Sequence, residues 1–362
     1  MQYSPIGVDK WDVDTPALCI DLPALDRNIA RMASFLGDGP TRVRPHSKTH
    51  KCPTIAWKQL EAGAIGITCA KLGEAEAMAS AGIKDILIAN QVIGSTKIRR
   101  LIGLAADTRI MVAVEAAENA RELSEAAVAS GRTLRTLIEV DTGMGRCGVL
   151  PGEETIALAR LMSSLPGLQL EGIMGYEGHA VMVPDGDARR ATAHASMALL
   201  IQTRDDLLAD GIPVPIVSAG GSGTYNITGR YPGVTEIQAG SYATMDARYA
   251  TIIPEFEHAL TLVAQVISVR GDKAVIDAGL KALTPEFGKQ PVIQPTGWTM
   301  EKQSEEHSTL SRQDGPALKP GDKVELIPSH GCTTINLYDA YHVLDGGRVV
   351  ALWPIAGRGK LQ

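Results

Sequence analysis

The sequence predicts an eight-stranded α/β barrel of the (β/α)8, TIM type, followed by a C-terminal β-domain. Eight short apolar runs alternate with helical stretches between positions 42 and 243, and strands with tight turns follow from about position 260. Parallel strands need crossover connections, so this alternation indicates a parallel sheet covered by helices. Eight such units in roughly two hundred residues fit a closed barrel better than an open sheet. A Rossmann-like sheet is disfavoured because no Gly-x-Gly-x-x-Gly turn follows the first strand.

The barrel elements are predicted in chain order. The strands are predicted at residues 43–47, 66–70, 86–90, 110–114, 137–141, 172–176, 216–219 and 236–239. Segments of helical period lie between most of them, at residues 54–61, 73–80, 116–129, 153–162 and 188–209. Gly, Pro or Asp flanks many of these strands, as is typical of connections between strands and helices.

The β-domain is predicted from four further strands and one early strand. The four strands are predicted at residues 260–269, 273–277, 323–328 and 340–352, with Gly/Asp turns such as Asp345-Gly346-Gly347. Residues 17–22 are also strand-like, and we expect them to pair with this C-terminal sheet. We therefore expect a barrel domain at residues 23–248 and a β-domain at residues 249–362 that includes residues 1–22.

Composition narrows the class of protein. The chain has 362 residues, a net charge of −6 and no run of Lys or Arg, which disfavours a nucleic-acid partner. No apolar run approaches the ~18 residues of a membrane span, and the N-terminus lacks the apolar segment of a secretory signal. Five cysteines, an odd number, do not indicate a disulfide framework, so we expect a cytoplasmic protein.

Two glycine-rich turns indicate a phosphate site. In such barrels the active site lies at the C-terminal ends of the strands, and the loops after strands seven and eight commonly hold a phosphate. Here the seventh strand runs into Gly220-Gly221-Ser222-Gly223-Thr224 and the eighth into Gly240-Ser241-Tyr242. Glycine amides can surround an anion, and the hydroxyls of Ser222, Thr224 and Ser241 can add donors. An ordinary flexible loop is the alternative, which the coincidence with the two expected strands disfavours.

Other barrel strands also end in candidate functional residues. Lys48 follows the first strand and could form a Schiff base with a cofactor aldehyde, or be an ordinary exposed charge. Arg146 lies among glycines after the fifth strand, where it could donate to a pyridine nitrogen or pair with a carboxylate. Tyr176 and His179 follow the sixth strand and are candidates for contact with a cofactor ring or a substrate hydroxyl, although a lone His is more often structural.

His330 and Cys332 are candidate metal ligands. If the chain is extended there, residues two apart direct their side chains to one face. An imidazole and a thiolate so placed could bind one zinc-like divalent ion, with water, a carboxylate or substrate completing its shell. Spacing alone favours the alternative, in which Cys332 is a small buried residue and His330 is satisfied by hydrogen bonds.

Taken together, these motifs resemble the D-threonine aldolase / D-serine dehydratase family. The resemblance runs in order over nearly the whole chain. Its motifs are Asp14-Thr15-Pro16, Arg44-Pro45-His46-x-Lys48-x-His50-Lys51, Gly143-x-Gly145-Arg146-Cys147-Gly148, Gly220-Gly221-x-Gly223-Thr224, Gln238-Ala239-Gly240-Ser241-Tyr242, Asp277-Ala278-Gly279-Leu280-Lys281, Glu306-His307 and Trp353-Pro354-Ile355-Ala356-x-Arg358-Gly359.

The resemblance implies an alanine-racemase-like barrel with pyridoxal 5'-phosphate and a divalent metal (Zn²⁺, Mn²⁺ or Mg²⁺), usually in a homodimer. It implies that Lys48 forms the Schiff base with the cofactor and that Arg146 faces the pyridine nitrogen. It also implies that Tyr176 lies beside the cofactor and that Glu305 is an acidic residue on the substrate side. It assigns the metal pair to His330 and Cys332. The phosphate residues that it implies are Gly221, Ser222, Gly223, Thr224, Gly240 and Ser241.

The implied activity is a lyase reaction on D-3-hydroxy-amino acids, with aldol cleavage to glycine and an aldehyde favoured. Two departures bear on this. Many aldolases of the group carry aspartate as the second metal ligand, whereas the dehydratases carry cysteine. Cys332 therefore favours zinc as the metal, and it keeps open the alternative reaction, elimination to a 2-oxo acid and ammonia. Aldolases often have a histidine directly after the tyrosine, whereas His179 follows Tyr176 by three residues, which weakens its match to a catalytic base.

Two other activities fit the sequence less well. A racemase needs a second base opposite Lys48, and none is located. A non-enzymatic cofactor carrier needs no C-terminal domain with a metal pair.

Overall fold

A computed structural model describes residues 5–362 as two compact units. The barrel unit consists of residues 33–48, 55–240 and 359–362, and the described part of the β-unit consists of residues 5–32, 49–54 and 241–358. The domain limits expected from the sequence stay a prediction. None of the helices in the described part of the chain combines the length and apolarity needed to cross a membrane.

The strands and helices are as follows. The strands are β1 Ala17–Asp21, β2 Arg42–Val43, β3 Ile67–Cys69, β4 Asp85–Gln91, β5 Arg109–Val114, β6 Leu134–Glu139, β7 Leu168–Met174, β8 Ile216–Ala219, β9 Glu236–Ile237, β10 Leu260–Arg270, β11 Lys273–Ile276, β12 Val292–Gln294, β13 Trp298–Gln303, β14 Ser308–Arg312, β15 Lys323–Leu326, β16 Ala340–Asp345 and β17 Arg348–Pro354. The helices are α1 Leu22–Leu36, α2 Pro53–Glu61, α3 Leu72–Ser80, α4 Ser95–Leu104, α5 Ala117–Ala129, α6 Glu153–Ser164, α7 Gly186–Ala209, α8 Tyr225–Thr228, α9 Ala247–Ala250 and α10 Gly331–Ile335, with 3-10 turns at Lys10–Asp12 and Ser222–Thr224.

The barrel unit contains the eight parallel strands that the sequence predicts. Strands β3 to β9 lie side by side in chain order, and β2 pairs with β9. A parallel bridge between His46 and Thr68 joins the first and second strands of the barrel, so the ring closes. The strands form because their apolar runs are covered by helices, as in other parallel sheets. The interior includes one apolar cluster from neighbouring strands, formed by Leu87, Met111, Ala113, Leu137 and Met174. The predicted fold class is confirmed.

The β-unit is built around β1 and β10. The early strand β1 pairs antiparallel with β10 and parallel with β16, which confirms the expected pairing of the N-terminal strand with the C-terminal sheet. Strands β12, β13 and β14 were not predicted. The residues of β13 and β14 alternate between buried and more exposed positions, and those of β12 are half-exposed or exposed. These strands therefore lack the apolar runs from which the other strands were predicted.

The chain around His330 differs from the extended segment that the sequence argument assumed. His330 has extended backbone angles but is the N-cap of α10, and Cys332 lies in the first turn of that helix. The prediction that the two side chains share one face of an extended segment is therefore wrong. They meet because the chain turns into a helix between them.

Candidate active site

The side chain of Tyr176 lies at the centre of a cluster in the barrel unit. Tyr176 follows β7, and its ring centroid is 5.8 Å from Lys48 Nζ and 5.6 Å from Arg146 Cζ. These distances are typical of cation–π contacts. On the glycine-rich side, a Cβ placed on Gly221 would lie 3.2 Å from Tyr176 Cε2. The structure thus brings together four of the residues predicted from the sequence, although they come from loops after four different strands.

The glycine turn (residues 220–224) has the features of an anion cradle. Gly220 has a φ of +77°, and a Cβ on Gly223 would lie 2.0 Å from the carbonyl oxygen of Val181, so both positions require glycine. Gly223 and Gly240 are buried, and neither amide is the donor of a loop or turn hydrogen bond within residues 5–362. Buried amides nearly always have a partner, so these two are suited to an added anion.

Arg146 has the carboxylate partner that the sequence argument kept open. Its Nη2 atom is 3.8 Å from Glu139 Oε1, and half of its side chain is exposed. Glu139 also accepts a hydrogen bond from Gln91. Burial raises the pKa of Glu139, although the bond from Gln91 and the charge of Arg146 oppose that change. The pairing with Glu139 leaves the exposed guanidinium edge able to bind a second group.

His179 is exposed, and its Nε2 atom is 3.5 Å from Ser196 Oγ. A Cβ on Gly143 would lie 3.7 Å from its ring, so His179 is beside the loop that carries Arg146. Asp141 fastens that loop by accepting hydrogen bonds from the amides of Gly143 and Gly145. The bond from Gly145 is the main reason that the pKa of Asp141 is below its ordinary value.

In the β-unit, His330 and Cys332 are hydrogen-bonded to each other. The sulfur of Cys332 is also 3.2 Å from Thr49 Oγ1 and 4.0 Å from Ser241 Oγ. No group of three His, Cys, Asp or Glu side chains in residues 5–362 is arranged to bind a metal. A divalent ion at this pair would therefore have an imidazole and a sulfur from the protein, and water or substrate elsewhere.

Two carboxylates hold this pair in place. Asp246, itself buried, accepts a hydrogen bond of 2.8 Å from the amide of Gly331, which lies between the two candidate ligands. Glu286 Oε2 is 2.6 Å from His330 Nδ1, which leaves Nε2 as the ring atom for a metal. Burial acts to lower the pKa of His330, but the sulfur of Cys332, the bond to Glu286 and the charge of Asp246 raise it to about 9.

Glu305 is not joined to the candidate metal pair. It lies in the turn between β13 and β14, its side chain is exposed, and its carbonyl oxygen accepts a hydrogen bond from Lys281. The structure gives it no hydrogen bond or ion pair with His330 or Cys332 in the β-unit.

Sequence reasoning missed several residues that shape the site. Glu177, Asp246, Glu286 and Thr49 were not singled out, although Glu177 stands directly beside Tyr176 and Thr49 directly follows Lys48. The partners that link them to the site are 43 to 283 positions away in the chain, as in the bonds of Glu177 to Gly220 and of Cys332 to Thr49. An acidic residue directly after a barrel strand is the one signal that could have indicated Glu177.

Comparisons with known proteins agree with this geometry. A family model for the N-terminal domain of alanine racemase matches residues 20–248, and one for a serine dehydratase domain matches residues 259–344. A 3-hydroxy-D-aspartate aldolase of Paracoccus denitrificans is 36% identical over 98% of this chain and 94% of its own.

Two solved structures are also similar. That of a D-threonine aldolase from Filomicrobium marinum has a TM-score of 0.96 and 37% identity, covering 99% of this chain and 100% of its own. That of a D-threo-3-hydroxyaspartate dehydratase mutant in the metal-free form has a TM-score of 0.87 and 29% identity, covering 96% and 98%. The resemblance that the motifs predict is confirmed: the chain belongs to the alanine racemase N-terminal domain family, in the group of D-threonine and 3-hydroxy-D-aspartate aldolases.

Proposed function

We propose that this protein is a lyase that uses pyridoxal 5'-phosphate and a divalent metal to cleave D-3-hydroxy-amino acids into glycine and an aldehyde. The observation that carries the proposal is the Tyr176 ring, with Lys48, Arg146 and the glycine turn around it. An amine, an aromatic face and an anion cradle are what a ring with an aldehyde and a phosphate requires. The names of the similar aldolases support the same reaction.

The residues present fit this cofactor. The buried amides of Gly223 and Gly240 would donate to the phosphate, together with the hydroxyls of Ser222 and Ser241. Lys48 would supply the amine that binds the aldehyde. The ring of Tyr176 would lie beside the cofactor ring, and Arg146 would donate to its pyridine nitrogen, as the resemblance implies.

The metal pair is proposed to bind the substrate hydroxyl. The candidate donors, His330 and Cys332, are the imidazole and sulfur ligands that zinc accepts. When bound, pyridoxal phosphate takes up the electrons released as the Cα–Cβ bond breaks, and a divalent metal lowers the pKa of the substrate hydroxyl.

A residue of this chain must then accept the hydroxyl proton. We propose His179, because a ring nitrogen of an imidazole can accept a proton and the exposed ring lies beside the loop of Arg146. Glu305 stays a predicted substrate-side residue.

Elimination is the second candidate reaction. It is favoured by one observation, the sulfur of the candidate ligand Cys332 beside His330, and by the similar dehydratase. In that reaction a base such as Lys48 removes the α-proton and the β-hydroxyl leaves, so D-threonine yields 2-oxobutanoate and ammonia.

Incubation of the holoenzyme with D-threonine distinguishes the two reactions. Equal amounts of acetaldehyde and glycine, absent with L-threonine and with the Lys48→Ala variant, would support the proposal. Release of 2-oxobutanoate and ammonia would overturn it in favour of the dehydratase. Borohydride reduction of the wild-type holoenzyme, followed by peptide mass spectrometry, should place the cofactor on Lys48 independently of turnover.

We also propose a cytoplasmic homodimer that takes a small D-amino acid as its partner molecule. The resemblance supports the homodimer, and sedimentation of the purified protein measures the oligomeric state.

A further inference from the structure

Glu177 is a buried carboxylate that the proposed reaction does not use. It follows Tyr176 at the end of β7, and its side chain has no solvent exposure. A carboxylate this deeply buried is costly unless donors surround it. The three donors that surround it all belong to the glycine turn or to the short helix that follows it.

The two oxygens of Glu177 hold both ends of the turn. Oε2 accepts a hydrogen bond of 3.2 Å from the amide of Gly220, the first residue of the turn. Oε1 accepts bonds from the hydroxyl of Thr224, at 2.7 Å, and from that of Thr228 in α8. One side chain therefore ties the start of the turn to its end and to the helix beyond.

These bonds also fix the direction of the Thr224 hydroxyl. The hydroxyl of Thr224 donates its proton to Glu177 Oε1. The same oxygen accepts a bond of 3.2 Å from the amide of Gly221. The hydroxyl of Thr224 and the amides of Gly220 and Gly221 are thus engaged in the bonds that close the turn, and the amide of Gly223 is in none of them.

We propose that Glu177 is a positioning residue for the phosphate of the cofactor. It holds the glycine turn in the shape in which the amide of Gly223 takes no part in the bonds that close the turn. Tyr176 packs against Gly221 while the next residue, Glu177, fastens Gly220. The exit of β7 therefore sets both the aromatic contact and the phosphate contact. This inference rests on the proposed binding of pyridoxal phosphate.

The test compares pyridoxal phosphate with pyridoxal, which has the same aldehyde and no phosphate. Each is titrated into the cofactor-free, full-length protein, and binding is followed by visible absorbance. In Glu177→Gln an amide replaces one acceptor oxygen by a donor, so we expect affinity for pyridoxal phosphate to fall about tenfold, with a change of less than about twofold for pyridoxal.

The matched control is Glu74→Gln, which alters another buried carboxylate of the barrel unit, one that caps α3 by accepting from the amide of Ala70. It should leave the ratio of the two affinities unchanged. If Glu177→Gln does not fold, Thr228→Val removes one of the three donors and keeps the carboxylate. It should lower the affinity for pyridoxal phosphate selectively and by a smaller factor.

An equal loss for both ligands, or no loss for either, would overturn the role of Glu177 while leaving the proposed function intact. If the wild-type protein binds neither ligand, the proposed function itself fails, and this inference fails with it. The two failures are therefore distinguished by the wild-type titration alone.

Discussion

At the scale of single residues, Tyr176 should be needed for its ring and not for its hydroxyl. The ring face is within 6 Å of two cations, and each such contact at a solvent-exposed site is worth about 0.5–1 kcal/mol. Tyr176→Ala should therefore weaken cofactor binding about 5–30-fold, whereas Tyr176→Phe keeps the ring and should bind almost as well as the wild type. Titration of the cofactor-free protein measures both; equal losses in the two variants would show that the hydroxyl matters instead.

Glu286 should act on metal affinity. Because its carboxylate orients His330 through Nδ1, Glu286→Ala should lower the affinity for zinc about 10–100-fold, as is typical of groups that orient a ligand. Glu286→Gln keeps an acceptor oxygen without the charge and should have an intermediate effect. Competition with a coloured chelator, with zinc as the added metal, measures this change.

The control for Glu286 is Glu301→Ala in the same unit, which removes an exposed partner of Lys273. Its zinc affinity should equal that of the wild type. Unchanged zinc binding in Glu286→Ala would exclude an orienting role, and altered cofactor absorbance in that variant would indicate a wider structural effect.

Residues of the candidate site could be predicted from the sequence where each follows a recognisable strand. Lys48, Arg146, Tyr176 and the glycine turn each follow a strand, and strand ends can be located from apolar runs. Glu177 and Glu286 were not predictable, because their roles depend on hydrogen bonds to residues far away in the chain. His330 and Cys332 were identified through the resemblance, although the geometry first assumed for them was wrong.

At the scale of elements, Arg44 links the strands where the barrel closes. The guanidinium just after β2 is buried, with Nε 3.1 Å from Glu236 of β9 and a further bond to Asp85 of β4. Burial acts to lower the pKa of Arg44, and the two carboxylates raise it above its ordinary value. The network thus ties the first barrel strand to strands on both sides of it.

Loss of that arginine should destabilise the protein strongly. Arg44→Met leaves Glu236 buried without its partner, so the free energy of unfolding should fall by about 3–5 kcal/mol. The matched control is Arg100→Met, which breaks a partly exposed pair with Glu76 in the same unit and should cost about 0–1 kcal/mol. Urea denaturation followed by circular dichroism measures both, and similar midpoints would contradict the prediction.

The strands that could be predicted from the sequence are those buried on both faces, because they form continuous apolar runs. Strand β8 begins and ends at the predicted residues, because its run is bounded by Pro215 and Gly220. The first barrel strand was predicted as five residues but is two, since Pro45 interrupts its ladder of hydrogen bonds. Strands β13 and β14 were missed because polar residues occupy their exposed positions.

At the scale of the whole molecule, the proposed ligands are divided between the two units. The amine, the arginine, the tyrosine and the glycine turn belong to the barrel unit, whereas the metal pair and its two carboxylates belong to the β-unit. Ser241 is the first residue of the β-unit in its long segment and directly follows Gly240 of the barrel unit. Binding of pyridoxal phosphate can therefore be studied in the barrel unit, and binding of the metal in the β-unit.

Each ligand should protect its own unit from hydrogen exchange. A ligand that binds the folded state at a hundred times its dissociation constant stabilises that state by about 2.7 kcal/mol, which slows exchange where opening breaks the site. Added pyridoxal phosphate should protect residues 142–147 and 220–224, and added zinc should protect residues 328–335. Lys48→Ala should lose the first effect and keep the second, and His330→Ala should do the reverse. If zinc still protects residues 328–335 in His330→Ala, His330 is not a required ligand of the metal.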